Sequence, residues 1–104
     1  MTTPIVFKCE PLMYAFLKDG KKTWDARLWD MQDERCYRLS RSRLVSAQTG
    51  QVAPVEERVT FVHRETLERM TFEYLGLELH SWAPGWGFIK LGRKLQLTPE
   101  EQLV

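Results

Sequence analysis

The chain has little of what would set it apart from ordinary globular domains. Its two cysteines, Cys9 and Cys36, are too few for a disulfide framework, and both thiols are expected to be reduced. No apolar run approaches the ~18 residues that a helix needs to cross a bilayer. The opening Met-Thr-Thr-Pro has neither a basic n-region nor an apolar h-region and does not read as a signal peptide. A cytoplasmic location with no membrane partner is the resulting expectation. The histidines are two, His63 and His80, and with Cys9 and Cys36 they lack the paired short spacing of a zinc site. No metal and no cofactor are expected. A large charge of one sign is missing as well: the formal net charge is +1, so the molecule as a whole is no polycation. Repeats, low-complexity segments and linkers are absent. One domain with a modest core is expected over residues 1–104, with 93–104 as a tail prone to fraying.

Aromatic residues, by contrast, are plentiful. Four Trp, five Phe and three Tyr supply a core and leave some rings for stacking surfaces. The charge is also uneven. Arg35, Arg38, Arg41 and Arg43 occur in a stretch that has no acid before Glu56, and acids dominate from there to Glu78. Such a run builds either a local basic patch or a solvated face.

Ile5–Cys9 reads as a strand. Pro11–Lys18 reads as a helix, with Pro at its first position and Lys18 in its last turn, where a cation suits the dipole. Leu12, Ala15 and Phe16 recur at helical spacing, and Met13 and Leu17 form an adjoining stripe. Gly20 fits the left-handed position that ends a helix. Thr23 to Trp29 alternates as a strand. Trp24, Ala26 and Leu28 are expected to face the core, and Thr23, Asp25, Arg27 and Trp29 the solvent side. Asp30 to Glu34 reads as a turn, Cys36 to Leu44 as another strand, and Thr49-Gly50 as the turn of a loop. Arg58–His63 is the clearest strand. Thr71 to Leu79 suits a strand through Phe72 and Tyr74, or a helix through Leu75 and Leu79. A turn at Ala83-Pro84-Gly85 and a closing strand, Trp86 to Leu91, follow. Thr98-Pro-Glu-Glu101 has the capping-box pattern. One early helix followed by several strands predicts an α+β domain on a curved, mostly antiparallel sheet or small β-barrel.

Lys21, Lys22, Thr23, Asp25 and Arg27 crowd the junction between the first helix and the next strand. Two readings stand for this cluster. In one, Asp25 pairs with Arg27 or a lysine and pins helix to strand. In the other, Lys22 and Arg27 hold a phosphate or a base edge and Asp25 orients them. Trp29, on the same parity, would then offer a stacking platform, while Arg38, Arg41 and Arg43 track a backbone. Trp82 and Trp86 either wall a cleft or close the barrel. Cys9 is expected to be inert core, His63 a packing residue, and His80 a remote acid/base candidate.

Three blocks resemble the ASCH domain of the PUA-like superfamily, in the small branch common in phage and bacterial genomes. The helix that runs into Gly20-Lys-Lys-Thr-Trp-Asp-Ala-Arg27 is similar to the family's Gly-x-Lys-Thr-x-Glu-x-Arg signature. Thr49-Gly50 followed by Arg58-Val-Thr-Phe-Val62 resembles its loop and Val-rich strand. Pro84-Gly-Trp-Gly-Phe-Ile-Lys-Leu91 resembles its closing strand. Asp25 replaces the usual Glu, and Asp33-Glu-Arg-Cys36 stands where the family turns with Gly-Asp. The resemblance implies a PUA-like barrel over the whole chain, a cleft beside the signature and a link to RNA. One subgroup consists of amidohydrolases acting on acylated cytidine nucleosides. Its catalytic lysine maps to Lys22, and its nucleophilic threonine falls where this chain has Asp25. Glu65 and Glu68 are the nearby candidates for its later carboxylate.

Three functions follow as expectations. The first is an RNA- or nucleotide-binding domain using Lys21, Lys22, Thr23, Asp25, Arg27, Trp29, Arg38, Arg41 and Arg43. The second is an amidohydrolase or ribonuclease in which Lys22 and Asp25 are catalytic. The third is a phage accessory protein that binds a host protein through exposed tryptophans.

Overall fold

A computed structural model describes residues 3–41 and 57–104. Strand β1 (Ile5–Cys9) buries Ile5, Phe7 and Cys9 on one face. Pro11 then starts α1 (Pro11–Lys18), and Gly20 follows it at φ 75°, a backbone state that other residues adopt at a cost. The face that α1 buries is not the Leu12 stripe: Tyr14 and Leu17 are buried and Leu12 is exposed. Almost every position of this helix is apolar, so periodicity could not select its inner face. Its packing against β3 (Arg58–His63) does.

Strand β2 (Trp24–Leu28) comes next. Residues 34–41 form a helix, α2 (Glu34–Arg41), where a strand was expected from Cys36. Asp33 accepts a hydrogen bond from the Arg35 backbone N–H at 2.9 Å, as a capping residue does. Glu34 lies in the first turn, and Arg38 and Arg41 in the last, which suits the dipole. Cys36 and Leu39, three apart, are buried on one helical face. Arg43 and the Thr49-Gly50 turn lie outside the described residues.

After β3 come β4 (Arg69–Glu78), β5 (Trp86–Leu95) and α3 (Pro99–Leu103). The ambiguous stretch before Leu79 is therefore strand. The capping box of α3 forms: Thr98 Oγ1 accepts from Glu101 N, and Glu101 Oε1 accepts from Thr98 N at 2.8 Å. Arg58 also pairs with the Glu101 carboxylate at 2.9 Å.

The five strands form one mixed sheet in the order β1-β3-β4-β5-β2. β1 runs parallel to β3, with Phe7 opposite Phe61, and the other pairings are antiparallel. Register shifts along the β4–β5 pair help the sheet to curl into a half-barrel. The domain is thus a small α+β fold with a curled sheet. Ile5, Phe7, Leu17, Leu39, Phe61, Met70 and Ile89 lie in its core.

Curling brings the two outer strands, β1 and β2, towards each other. No backbone ladder joins them; side chains cross the seam. Arg27 of β2 donates to Cys9 Sγ at 3.4 Å, and its guanidinium lies 5.0 Å from the Phe7 ring centroid. Helix α2 ties to both sides of this opening. Arg35 donates to the Val6 carbonyl at 2.7 Å, and the Trp29 indole N–H donates to Ser40 Oγ at 2.9 Å. Tyr74 on β4 donates to the Leu39 carbonyl at 2.8 Å.

Candidate functional site

The junction is split between two faces of β2. Register pairs Asp25 with Ile89 and Arg27 with Gly87 on the inner face, where Asp25, Ile89 and Gly87 are buried and Arg27 is half-buried. It pairs Trp24 with Lys90, Ala26 with Phe88 and Leu28 with Trp86 on the outer face. The expected orientation is therefore reversed. Asp25 is 3% exposed, while Trp24 is 44% and Leu28 70% exposed. The reversal has a physical reason. Inside, the Asp25 carboxylate accepts from Arg27 Nε, so the buried charge is paired. Outside, none of the described residues covers the β2 edge enough to bury Trp24.

That charge pair also shapes the neighbouring thiol. Burial, and then the negative Asp25, push the Cys9 thiol up to about 11 against the opposing pull of Arg27 and Lys22. Cys9 is a neutral thiol at physiological pH, as expected of inert core.

On the outer face, Thr23, Trp24, Glu78, Trp82, Phe88 and Lys90 line a cleft of about 280 Å³. The sheet order explains its assembly, because β4, β5 and β2 are consecutive neighbours. Trp24 and Phe88 have ring centroids 5.8 Å apart, and Trp82 and Phe88 5.5 Å. His80 stacks on Trp82 at 5.0 Å and meets Phe88 edge-on at 5.3 Å. Lys22 Nζ sits 4.4 Å from the Trp24 ring centroid. Lys90 Nζ lies 2.7 Å from Glu78 Oε1, and His80 Nε2 lies 3.2 Å from Glu78 Oε2. The Lys90 and His80 hydrogen bonds hold the Glu78 carboxyl below the usual range, so it is ionised at neutral pH. Rings, one ammonium group and a carboxylate therefore face one small hollow, with the Lys22 ammonium against the Trp24 ring beside it. Such a set can stack a planar group, attract an anion and accept hydrogen bonds.

The structure brings together only part of the sequence-predicted set. Thr23 lines the cleft, Lys22 lies against the Trp24 ring, and Lys21 is exposed beside them. Asp25 and Arg27 lie behind the strand, in the seam. Trp29 is half-buried, with its indole N–H on Ser40 and its ring against Gly87. Arg38 is held by the Thr3 carbonyl and Glu57, and Arg41 by the Tyr37 hydroxyl at 2.8 Å. Glu68 pairs with Lys18 at 3.0 Å. Lys22 has no carboxylate partner among the described residues; Met13 Sδ, at 3.8 Å, is its hydrogen-bonding neighbour. His63 is a packing residue: its Nδ1 accepts from the Glu65 and Thr66 backbone, and its ring meets Tyr14.

Sequence reasoning missed Phe88, Lys90 and Glu78, and left His80 without a partner. A signal was present. Phe88 and Lys90 share one parity, as do Glu78, His80 and Trp82, and each set mixes rings with charge. Among the described residues, no group of His, Cys, Asp or Glu converges in a way that could hold a metal ion, and no helix is long and apolar enough to cross a membrane. No family model matches the chain, and no curated protein matches it.

Proposed function

We propose that the chain is an ASCH-like domain of the PUA-like superfamily that binds RNA or a nucleotide, and that the base sits in the Trp24–Trp82–Phe88 cleft. The resemblance of Gly20–Arg27 to the signature and the barrel-like curl of the sheet support the family reading. The observation that carries the function is the pairing of exposed rings with lysines. Trp24 and Trp82, 44% and 73% exposed, flank Phe88, Lys90 lines the same hollow, and Lys22 lies against the Trp24 ring at 4.4 Å. Stacking of one base on an aromatic ring contributes about 1–3 kcal/mol, and lysines next to it attract the phosphate. Glu78 does not make the hollow anionic, because Lys90 pairs with it at 2.7 Å.

In this reading Asp25 and Arg27 act from behind, holding β2 against the seam so that Trp24 is presented outward. An amidohydrolase centred on Lys22 and Asp25 has less support. The lysine amine has a ring and a thioether for neighbours, and the aspartate is engaged by Arg27.

The test is fluorescence anisotropy with a labelled, mixed-sequence single-stranded RNA at low and moderate salt, alongside Trp24→Ala and Lys22→Ala. Saturable binding is expected, weaker at higher salt and about tenfold or more weaker in Trp24→Ala. Absence of binding at low salt, by RNA and by mononucleotides alike, would overturn the reading.

A further inference from the structure

We infer that this cleft selects guanine, with Glu78 and Lys90 reading the Watson–Crick edge of the base. The inference rests on the nucleotide-binding reading of the same cleft and adds the identity of the base.

The order of groups along the wall carries the inference. Lys90 Nζ lies 2.7 Å from Glu78 Oε1, and the second oxygen, Oε2, faces His80 at 3.2 Å. From Lys90 to Glu78 the wall offers a donor, an acceptor and a second acceptor, and His80 Nε2 stands beyond Oε2. An ionised carboxylate accepts only, and its two oxygens have about four lone-pair sites. Lys90 and His80 engage one site on each oxygen, which leaves further sites for a ligand. Lys90 is likewise a three-donor ammonium with donors remaining.

Guanine presents the complementary order on its Watson–Crick edge: the O6 acceptor, the N1–H donor and the N2 amino donor. Lys90 meets O6, and the two oxygens of Glu78 accept from N1–H and N2–H. No other common base matches. Adenine and cytosine each place an acceptor nitrogen beside their amino group, which would set a lone pair against the carboxylate. Uracil has a single N–H between two carbonyls. Guanine alone satisfies Lys90 and both Glu78 oxygens along one edge, and these added contacts discriminate.

The rings hold the base in position for this contact. Trp24, Phe88 and Trp82 line the same hollow as Glu78 and Lys90, so a base stacked there has its edge near the wall. The volume, about 280 Å³, suits a single base with part of its sugar rather than a larger ligand. Guanine could arrive as a free nucleotide or within a single strand, and both present the same edge.

Quenching of intrinsic tryptophan fluorescence by GMP, IMP, AMP, CMP and UMP tests the inference, with wild type, Glu78→Gln and Trp82→Ala. GMP is expected to bind about tenfold or more tighter than AMP, CMP or UMP, and IMP, which lacks the N2 amino group, to fall between. Glu78→Gln should abolish the preference for GMP over the other nucleotides. Trp82→Ala should weaken all five together. Short single-stranded RNAs with and without one guanine then separate a strand ligand from a free nucleotide: a strand ligand binds the guanine-containing RNA tighter than GMP. Equal affinity for all bases, or a guanine preference that survives Glu78→Gln, would overturn the inference and leave nucleotide binding standing. Binding of no nucleotide would remove both.

Discussion

Arg27 and Cys9 meet at 3.4 Å although they belong to β2 and β1, the two outermost strands of the sheet. The contact records how the domain closes. A curled sheet of this width leaves a seam, and the chain bridges it with a guanidinium rather than a ladder. The same guanidinium neutralises Asp25, which is almost fully buried. The charge pair at the helix-to-strand junction thus supports the architecture on the inner face. The Trp24, Trp82 and Phe88 rings lie on the outer face.

Removing Arg27 should cost more than removing the pair. Arg27→Ala leaves the Asp25 carboxylate buried and unpaired, an arrangement that costs about 3–5 kcal/mol. Asp25→Leu with Arg27→Leu removes both charges and should recover part of that loss. Urea unfolding of the single and double variants measures it. Equal destabilisation by the single and the double substitution would show that the pair is not coupled.

Gly87 is expected to tolerate no side chain. A methyl group there would overlap the Trp29 ring, which is itself held by Ser40 at 2.9 Å. Gly87→Ala should destabilise the domain by about 1–3 kcal/mol, a typical cost of overpacking. Thermal unfolding would report it, and a smaller ring at position 29 should relieve part of the effect. An unchanged midpoint would show that the ring has room to move.

Acid should weaken the cap of α2. The hydrogen bond from the Arg35 side chain holds the Asp33 carboxyl down to about 2, from an ordinary 3.8. A carboxyl depressed in the folded state stabilises the fold above its unfolded value. That contribution is lost as pH falls from about 3.8 through about 2. Asp33→Asn should therefore be less stable than wild type near neutral pH, with the gap closing over this window. Circular dichroism melts at stepped pH would measure it. A gap independent of pH would show that the charge of Asp33 is not what matters.

Trp82 separates binding from stability. It is 73% exposed and stacks on His80 at 5.0 Å, so the core does not depend on it. Trp82→Ala should shift stability by no more than about 0.5 kcal/mol, as for ordinary surface positions. RNA or nucleotide affinity should fall about fivefold or more, the loss of one stacking partner. Melting curves and binding titrations on the same preparation check both. A large loss of stability with unchanged affinity would assign Trp82 to the fold.

Local chemistry was legible wherever it is strong. Pro11 and Gly20 bracket α1, Thr98 and Glu101 cap α3, and the apolar run at Arg58–His63 is a strand. Each of these depends on residues within a few positions of one another. Residues 34–41 show where local reading fails. Tyr37 and Leu39 fit a two-residue period, and Cys36 and Leu39 fit a helical one. The tie between Asp33 and the Arg35 N–H, together with packing beneath Tyr74, selects the helix.

The sequence by itself determined the α+β character, most element positions and the presence of a charged junction beside an aromatic supply. These follow from turn chemistry and periodicity, which act over short distances. Only the tertiary structure decided which face of β2 looks inward. Alternation defines two faces but is indifferent to their sides, and the contact across the seam to Cys9 breaks that tie. It also decided the cleft, because Trp24, Glu78, Trp82 and Phe88 come together only through the β4-β5-β2 neighbourhood. Strand order is set by pairings between residues far apart in the chain, where no local pattern reaches.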